Sequence, residues 1–138
     1  MDNQDIVRTY IEAINEKNLL QMASLTHEDI KFTDPSGWEA EGRLVLSESM
    51  AGYYAMFPDY KVSVQASHLR DDVILVECVT TGSLSDIGRQ EIEAQGGEVP
   101  PDDQMQGPAI WEFTIKDEII MNWRMFLDTP EVRKEFKL

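Results

Sequence analysis

The sequence has few residues of several kinds, and each shortage excludes a class of protein. Cys78 is the only cysteine, so no disulfide can form within the chain. Together with the lack of a signal-peptide pattern, this leads us to expect a cytoplasmic setting. The two histidines, His27 and His68, are far apart, and the sequence has no CxxC, no HxxxH and no glycine-rich phosphate loop. We therefore expect no metal site and no cofactor.

Basic residues and long apolar runs are scarce as well. The chain has 12 lysines and arginines against 26 aspartates and glutamates, which gives a net charge of −14. A field of this sign repels phosphate backbones and anionic lipid surfaces, so we expect neither a nucleic-acid partner nor a membrane partner. No apolar run approaches the length of about 18 residues that a membrane-spanning helix needs.

What the sequence does contain is enough apolar material for one core. Hydrophobic residues make up 42% of the 138 residues, and there is no internal repeat, linker or low-complexity tract. This composition is typical of a globular chain, and its length suits a single domain over residues 1–138.

Hydrophobic periodicity predicts helices and strands in separate blocks. Apolar residues at helical spacing predict two helices between residues 3 and 25, a third over 43–57 and a short last one after Thr129. The predicted strands lie at residues 30–33, 60–67, 73–81, 105–115 and 119–127. Helices segregated from a mostly antiparallel sheet indicate an α+β fold. Residues 83–104 form an irregular insertion, for which the sequence predicts either a lid or a disordered loop.

Two aspartates stand at the ends of predicted strands. Asp34 is followed by Pro35-Ser36-Gly37, a pattern that matches a type I turn, in which aspartate is favoured because it bonds to the backbone ahead. Asp128 follows the last strand, and the dipole of the helix that begins after Thr129 would stabilise it. Local backbone chemistry explains both residues, and so does a role as a catalytic base. The sequence leaves that choice open.

The last strand has two chemically different faces. Because side chains alternate along a strand, one face carries an aromatic ring with polar groups and the other is wholly apolar. The mixed face consists of Asn122, Arg124, Phe126 and Asp128, and the apolar face of Met121, Trp123, Met125 and Leu127. We predict that the mixed face lines a pocket and that the apolar face forms the surface of a homodimer.

Four segments, in their order along the chain, resemble the nuclear-transport-factor-2-like superfamily, and within it the SnoaL-like polyketide cyclases and the ketosteroid isomerases. They are the first helix with Tyr10 and Asn15, Phe32-Thr33-Asp34-Pro35-Ser36-Gly37, Phe57-Pro58-Asp59, and Ile120-Met121-Asn122-Trp123-Arg124 followed by Asp128. The resemblance covers essentially the whole chain. It implies a cone-shaped, curved, mostly antiparallel sheet, a cystatin-like roll, packed by N-terminal helices around an apolar cavity.

The resemblance also implies roles for three residues. In ketosteroid isomerases a base aspartate precedes a turn and a tyrosine on the first helix donates to the oxyanion, and Asp34 and Tyr10 occupy those places. The second oxyanion acid of that family falls where this chain has Ile110 and Trp111. SnoaL-like cyclases place an acid/base aspartate where Asp128 stands. Limonene epoxide hydrolases use such an aspartate to activate water.

These observations support three hypotheses. The first is a cofactor-independent enzyme that abstracts a proton beside a carbonyl of an apolar substrate, giving isomerisation or aldol-type cyclisation. The second is a non-catalytic module that binds a ligand or dimerises, and the third is epoxide-hydrolase-like water activation. The expected catalytic residues are Asp34, Asp128 and Tyr10, and the expected substrate-binding residues are Trp38, Tyr54, Phe57, Trp111, Asn122, Arg124 and Phe126.

Overall fold

The computed structural model describes residues 1–99 and 107–138. The helices are α1 (Asn3–Glu16), α2 (Leu19–Ser24), α3 (Arg43–Met56), α4 (Asp86–Ala94) and α5 (Pro130–Phe136). The strands are β1 (Thr26–Thr33), β2 (Glu39–Glu41), β3 (Lys61–Arg70), β4 (Val73–Thr81), β5 (Gly107–Lys116) and β6 (Ile119–Leu127). None of the helices in the described residues is both long and apolar enough to cross a membrane.

The strands form one open, curved, six-stranded sheet in the order β2-β1-β6-β5-β4-β3. Every neighbouring pair is antiparallel except β1 and β6, which run parallel. Helices α1 and α3 contact the sheet on one side, which we call the inner face. The predicted α+β fold with a mostly antiparallel, cystatin-like sheet is therefore confirmed.

Local sequence signals account for the boundaries of the main elements. The Asp2 side chain caps α1 by accepting from the backbone N–H of Asp5 at 2.8 Å. The turn between β5 and β6 places Asp117 and Glu118 at φ angles of 53° and 63°. Positive φ at both central residues is typical of the tight turns that match the twist of antiparallel strands. Thr129 caps α5 through the backbone N–H of Val132.

The inner face of the sheet carries the large aromatic residues of the core. Trp123 is completely buried, stacks on Phe113 with a ring separation of 5.7 Å and meets Tyr10 of α1 edge-on at 5.4 Å. The prediction that Trp123 belongs to a dimer surface is therefore wrong. β6 lies in the middle of the sheet, and Trp123 on its apolar face is covered by α1 of the same chain. Alternation along a strand defines two faces but not which one the helices cover.

The opposite, outer face of the sheet is covered in part by α5. The rings of Phe126 and Phe136 are 5.2 Å apart, and Arg70 donates to the backbone carbonyl of Phe136 at 2.9 Å. Leu75 and Ile110 are buried on this face, outside the main core cluster. The outer face is thus a second, smaller layer of packing.

The predicted insertion over residues 83–104 is described up to residue 99. It contains α4, which Ser85 caps through the backbone N–H of Gly88, and Ser85 also donates to the carbonyl of Ala55 on α3 at 2.8 Å. Residues 83–99 therefore include a regular helix attached to α3. Residues 100–106, with the predicted start of a strand at Met105, lie outside the described residues.

Candidate functional site

A pocket with a volume of about 400 Å³ opens between the inner face of the sheet and α3. Its described lining residues are Phe32, Asp34, Pro35, Trp38, Leu46, Ser49, Met50, Tyr53, Tyr60, Thr80, Gly107, Pro108, Ala109, Trp111, Met125 and Leu127. A concave, mostly apolar cavity of this size with few polar groups is the usual form of a small-molecule site. Asp34 is the only ionisable acid or base among those lining residues apart from two tyrosines.

Asp34 is held by the turn that follows β1. One carboxylate oxygen, Oδ1, accepts from the Ser36 backbone N–H at 2.8 Å, the Ser36 hydroxyl at 2.6 Å and the Trp38 backbone N–H at 3.1 Å. The turn closes with Gly37, at φ 92°, donating to the Asp34 carbonyl. The predicted turn chemistry is thus present. Within the part of the chain that the structure describes, the second oxygen, Oδ2, has no hydrogen-bond partner.

Tyr10 does not reach this pocket. It lines a separate recess of about 10 Å³ behind Leu46 and Met50, two residues of α3 that line both cavities. Its hydroxyl is buried and, among the described residues, has no hydrogen-bond partner. Burial is the main cause that raises the pKa of Tyr10, so the phenol stays protonated. The expected convergence of Tyr10 with Asp34 in one cavity is absent.

Asp128 lies on the outer face, at the far side of the sheet from the pocket. Its two oxygens accept from Nε and Nη2 of Arg133 on α5 at 2.6 and 2.7 Å. Arg133 also pairs with Glu77 at 2.6 Å. A hydrogen bond of 2.7 Å joins the Glu77 carboxylate to Nε2 of His68. The expectation that Asp128 shares a cavity with Asp34 is wrong, because the sheet separates them. A bidentate arginine pair leaves this carboxylate occupied.

The other residues predicted on the mixed face of β6 lie on the outer face too. Arg124 pairs with Glu112 of β5 at 2.7 Å, and its guanidinium lies 5.0 Å from the ring centre of Phe126. The Asn122 side-chain oxygen is buried with no partner among the described residues. The prediction that Asn122, Arg124 and Phe126 line the pocket is wrong for the same reason as for Asp128. The helices cover the apolar face, and Met125 and Leu127 of that face line the pocket.

The remaining predicted binding residues divide into two pairs. Trp38 and Trp111 line the pocket, Trp38 with 49% of its surface exposed and Trp111 almost fully buried. Tyr54 and Phe57 are core residues of α3 and its C-terminal end and do not belong to the described lining. The Tyr54 hydroxyl donates to the carbonyl of Ile14 at 2.9 Å. Burial raises the pKa of Tyr54 to about 12.

Several lining residues were not identified from the sequence as binding residues. Met50 and Tyr53 project from α3 beside Leu46, and Tyr60 begins the chain segment that enters β3. The spacing of Leu46, Met50 and Tyr53 along one side of a helix was a usable signal. The same spacing is typical of core residues, so the sequence favoured packing. Phe32 meets Trp38 edge-on at 6.4 Å and completes the aromatic wall.

The described residues do not form a metal site. Among the described histidine, cysteine, aspartate and glutamate side chains, no group of three or more is placed to hold a metal ion. The adjacent acids Asp102 and Asp103 lie outside the described residues. Cys78 is buried on the inner side, and burial raises the pKa of its thiol to about 12, which makes it a poor nucleophile at neutral pH.

Comparison with known protein families now places the chain. The family model of the SnoaL-like domain matches residues 7–123, which is most of the sequence. The chain belongs to the SnoaL-like family. The expected resemblance to nuclear-transport-factor-2-like proteins is therefore confirmed at the level of the family. No curated protein matches the sequence.

Solved structures share the fold over 88% to 99% of the chain. A protein of unknown function with a cystatin-like fold from Xanthomonas campestris has a TM-score of 0.74 at 16% identity, covering 95% of this chain and 94% of its own. A proposed polyketide cyclase from Sinorhizobium meliloti has a TM-score of 0.68 at 18% identity, covering 88% and 93%. A protein with a ketosteroid isomerase-like fold from Catenulispora acidiphila, solved with trimethylamine, has a TM-score of 0.71 at 19% identity, covering 99% and 95%. At these identities the similarity shows the fold alone.

Proposed function

We propose that this chain binds a small, largely apolar molecule in the pocket between the sheet and α3. The observation that carries the proposal is the cavity of about 400 Å³, whose described lining consists mainly of apolar and aromatic side chains with one carboxylate, Asp34. A packed core would leave no such volume, and an apolar ligand gains free energy by filling it. Membership in a family that includes polyketide cyclases and isomerase-like proteins supports a small organic ligand.

The residues around the pocket give the proposal its direct test. Ser49 lines the pocket from α3, whereas its neighbour Glu48 is exposed and is not part of the lining. Ser49→Trp should fill the cavity and weaken binding of the neutral fluorescent probe N-phenyl-1-naphthylamine at least about tenfold. Glu48→Trp, on the same helix, should leave the probe's affinity unchanged. Affinity is measured by fluorescence titration. Equal affinity of both variants and the wild type would show that the probe does not bind in this pocket and would contradict the proposal.

A second candidate function is acid–base chemistry on the bound molecule. The observation that favours it is the Asp34 oxygen Oδ2, which has no hydrogen-bond partner within the described chain while Oδ1 is held by three donors. A positioned carboxylate with a free oxygen is suited to take a proton from carbon beside a carbonyl. Neither Asp128 nor Tyr10 lies at the pocket, so Asp34 would be the only base from the predicted set.

This second candidate is tested with a simple carbon acid. Exchange of the α-protons of 2-tetralone for deuterium, followed by NMR, should be accelerated by the wild type and lose about a hundredfold or more of that acceleration in Asp34→Asn. Asp128→Asn serves as the matched control, because it makes the same chemical change on the outer face. No acceleration by the wild type would leave binding as the function.

A further inference from the structure

The described wall of the pocket combines aromatic rings with one negative charge. Five of its described lining residues are aromatic: Phe32, Trp38, Tyr53, Tyr60 and Trp111. Their rings form close pairs across the wall, with Phe32 and Trp38 centred 6.4 Å apart and Tyr53 and Tyr60 5.1 Å apart. No lysine, arginine or histidine is found among the described residues that line the pocket. The faces of aromatic rings carry negative electrostatic potential and attract cations.

Asp34 also favours a positively charged ligand. A molecule that fills the pocket displaces water beside the lining residue Asp34, and the described part of the protein offers its Oδ2 oxygen no donor in exchange. Desolvating a charged group without a partner costs free energy. A neutral apolar ligand leaves this cost in place, whereas a ligand with positive charge near Asp34 offsets it.

The charge of the whole chain acts in the same direction. The net charge of −14 creates a negative field that raises the local concentration of cations and repels anions. Two described cationic side chains on β1 and α3, elements that contribute to the pocket, are already engaged. Lys31 pairs with Glu39 at 3.4 Å, and Arg43 donates to the Thr26 carbonyl at 2.6 Å. Neither of them is part of the described lining.

From these observations we infer that the ligand is a lipophilic ammonium ion, a tertiary or quaternary amine on an apolar body, with its cationic centre beside Asp34 and the aromatic wall. This inference rests on the proposed function, because it names the chemical class that the same pocket binds. The apolar body would occupy the region of Met50, Ala109 and Met125. The carboxylate supplies the charge and the rings supply cation–π contacts.

A matched pair of probes tests the charge alone. Phenyltrimethylammonium and tert-butylbenzene have the same shape, with a positively charged nitrogen in one and a carbon atom in the other. Each is used to displace N-phenyl-1-naphthylamine from the wild-type protein at low salt. The ammonium compound should displace the fluorophore at roughly tenfold lower concentration than its neutral isostere, because both the carboxylate and the rings favour it.

Two variants assign the preference to its source. Asp34→Asn keeps an oxygen that can accept from Ser36 and Trp38, so the turn is retained while the charge is removed. It should abolish most of the preference for the ammonium compound. Glu48→Gln removes the same amount of charge from an exposed position on α3 outside the described lining and should keep the preference.

The outcomes separate this inference from the proposed function. If the fluorophore binds and the two displacing compounds are equally effective, or the neutral one is better, the ammonium inference is wrong and the pocket remains a binding site. If the preference survives in Asp34→Asn, the assignment to Asp34 is wrong. If the fluorophore does not bind to the wild type, the proposed function itself fails.

Discussion

The two faces of the sheet differ in whether their carboxylates have cationic partners. On the outer face, Arg133 joins Asp128 and Glu77, and Glu77 is joined to His68, so each carboxylate has a cationic partner. On the inner face, the described lining of the pocket has one carboxylate, Asp34, and its hydrogen bonds to described residues come from its own turn. Paired charges hold elements together. Asp34 instead lines an apolar cavity and has one oxygen without a partner among the described residues, so it is able to pair with a ligand. The charges of the outer face therefore have a structural role, and the proposed function belongs to the inner face.

The largest expected effect comes from the aromatic core of the inner face. Trp123 is completely buried among Tyr10, Phe32 and Phe113, so Trp123→Ala leaves a large cavity and should lower the free energy of unfolding by about 3–5 kcal/mol. Phe126→Ala, on the outer face of the same strand, should cost clearly less because Phe126 is only half-buried. Urea unfolding measures both. Equal losses would show that α5 and the outer layer contribute as much as the core.

The contributions of the two faces to stability should also be lost at opposite ends of the pH range. On the inner side, burial raises the pKa of the Cys78 thiol from 9.0 to about 12, and burial likewise raises the pKa of Tyr10 and Tyr60. The unfolded chain therefore releases these protons first, so stability is fully present below about pH 9 and is lost as the pH rises above it. Cys78→Ala should reduce the steepness of this alkaline loss.

On the outer face the sign is reversed. Hydrogen bonds from His68 and then from Arg133 lower the pKa of Glu77 below its ordinary value of 4.5. The stability from this network is present above that value and is lost as the pH falls below it, since the unfolded chain then binds more protons. Glu77→Gln should flatten the acid side of a plot of the melting temperature against pH and leave the alkaline side unchanged. An altered alkaline side would contradict the separation of the two faces.

The smallest effect is expected for Tyr10. Its hydroxyl is buried without a hydrogen-bond partner among the described residues, so Tyr10→Phe removes an unpaired polar group and should leave stability unchanged or raise it slightly. Since Tyr10 lies outside the pocket lining, affinity for the naphthylamine probe should also stay the same. A marked loss of affinity would place the phenol at the ligand after all.

Local sequence signals predict most elements of this fold but not all of them. The α+β class, the helices α1 and α3 and the hairpin of β5 and β6 followed from periodicity and turn chemistry, because those signals are local. The short strand β2 was missed, since its three residues have no pattern of their own and are defined by their pairing with Phe32 and its two neighbours in β1.

The candidate site was harder to predict for a physical reason. Asp34, Trp38 and Trp111 were predicted as site residues and line the pocket, whereas Asp128 and Arg124 were predicted beside them and lie behind the sheet. Alternation in β6 correctly separates Arg124 from Met125 and Leu127 but carries no information about which face the helices cover. That choice depends on packing between elements far apart in the chain, which a mixed polar and aromatic strand face does not reveal.

The most direct test of the central claim is a map of where a neutral apolar molecule binds. In ¹H–¹⁵N NMR spectra of the labelled protein titrated with N-phenyl-1-naphthylamine, amide signals of inner-face residues such as Trp38, Tyr53 and Ala109 should shift. Signals of Glu77 and Arg133 on the outer face should stay in place. Shifts confined to the outer face, or no saturable shifts at all, would contradict the assignment of the pocket beside Asp34 as the functional site.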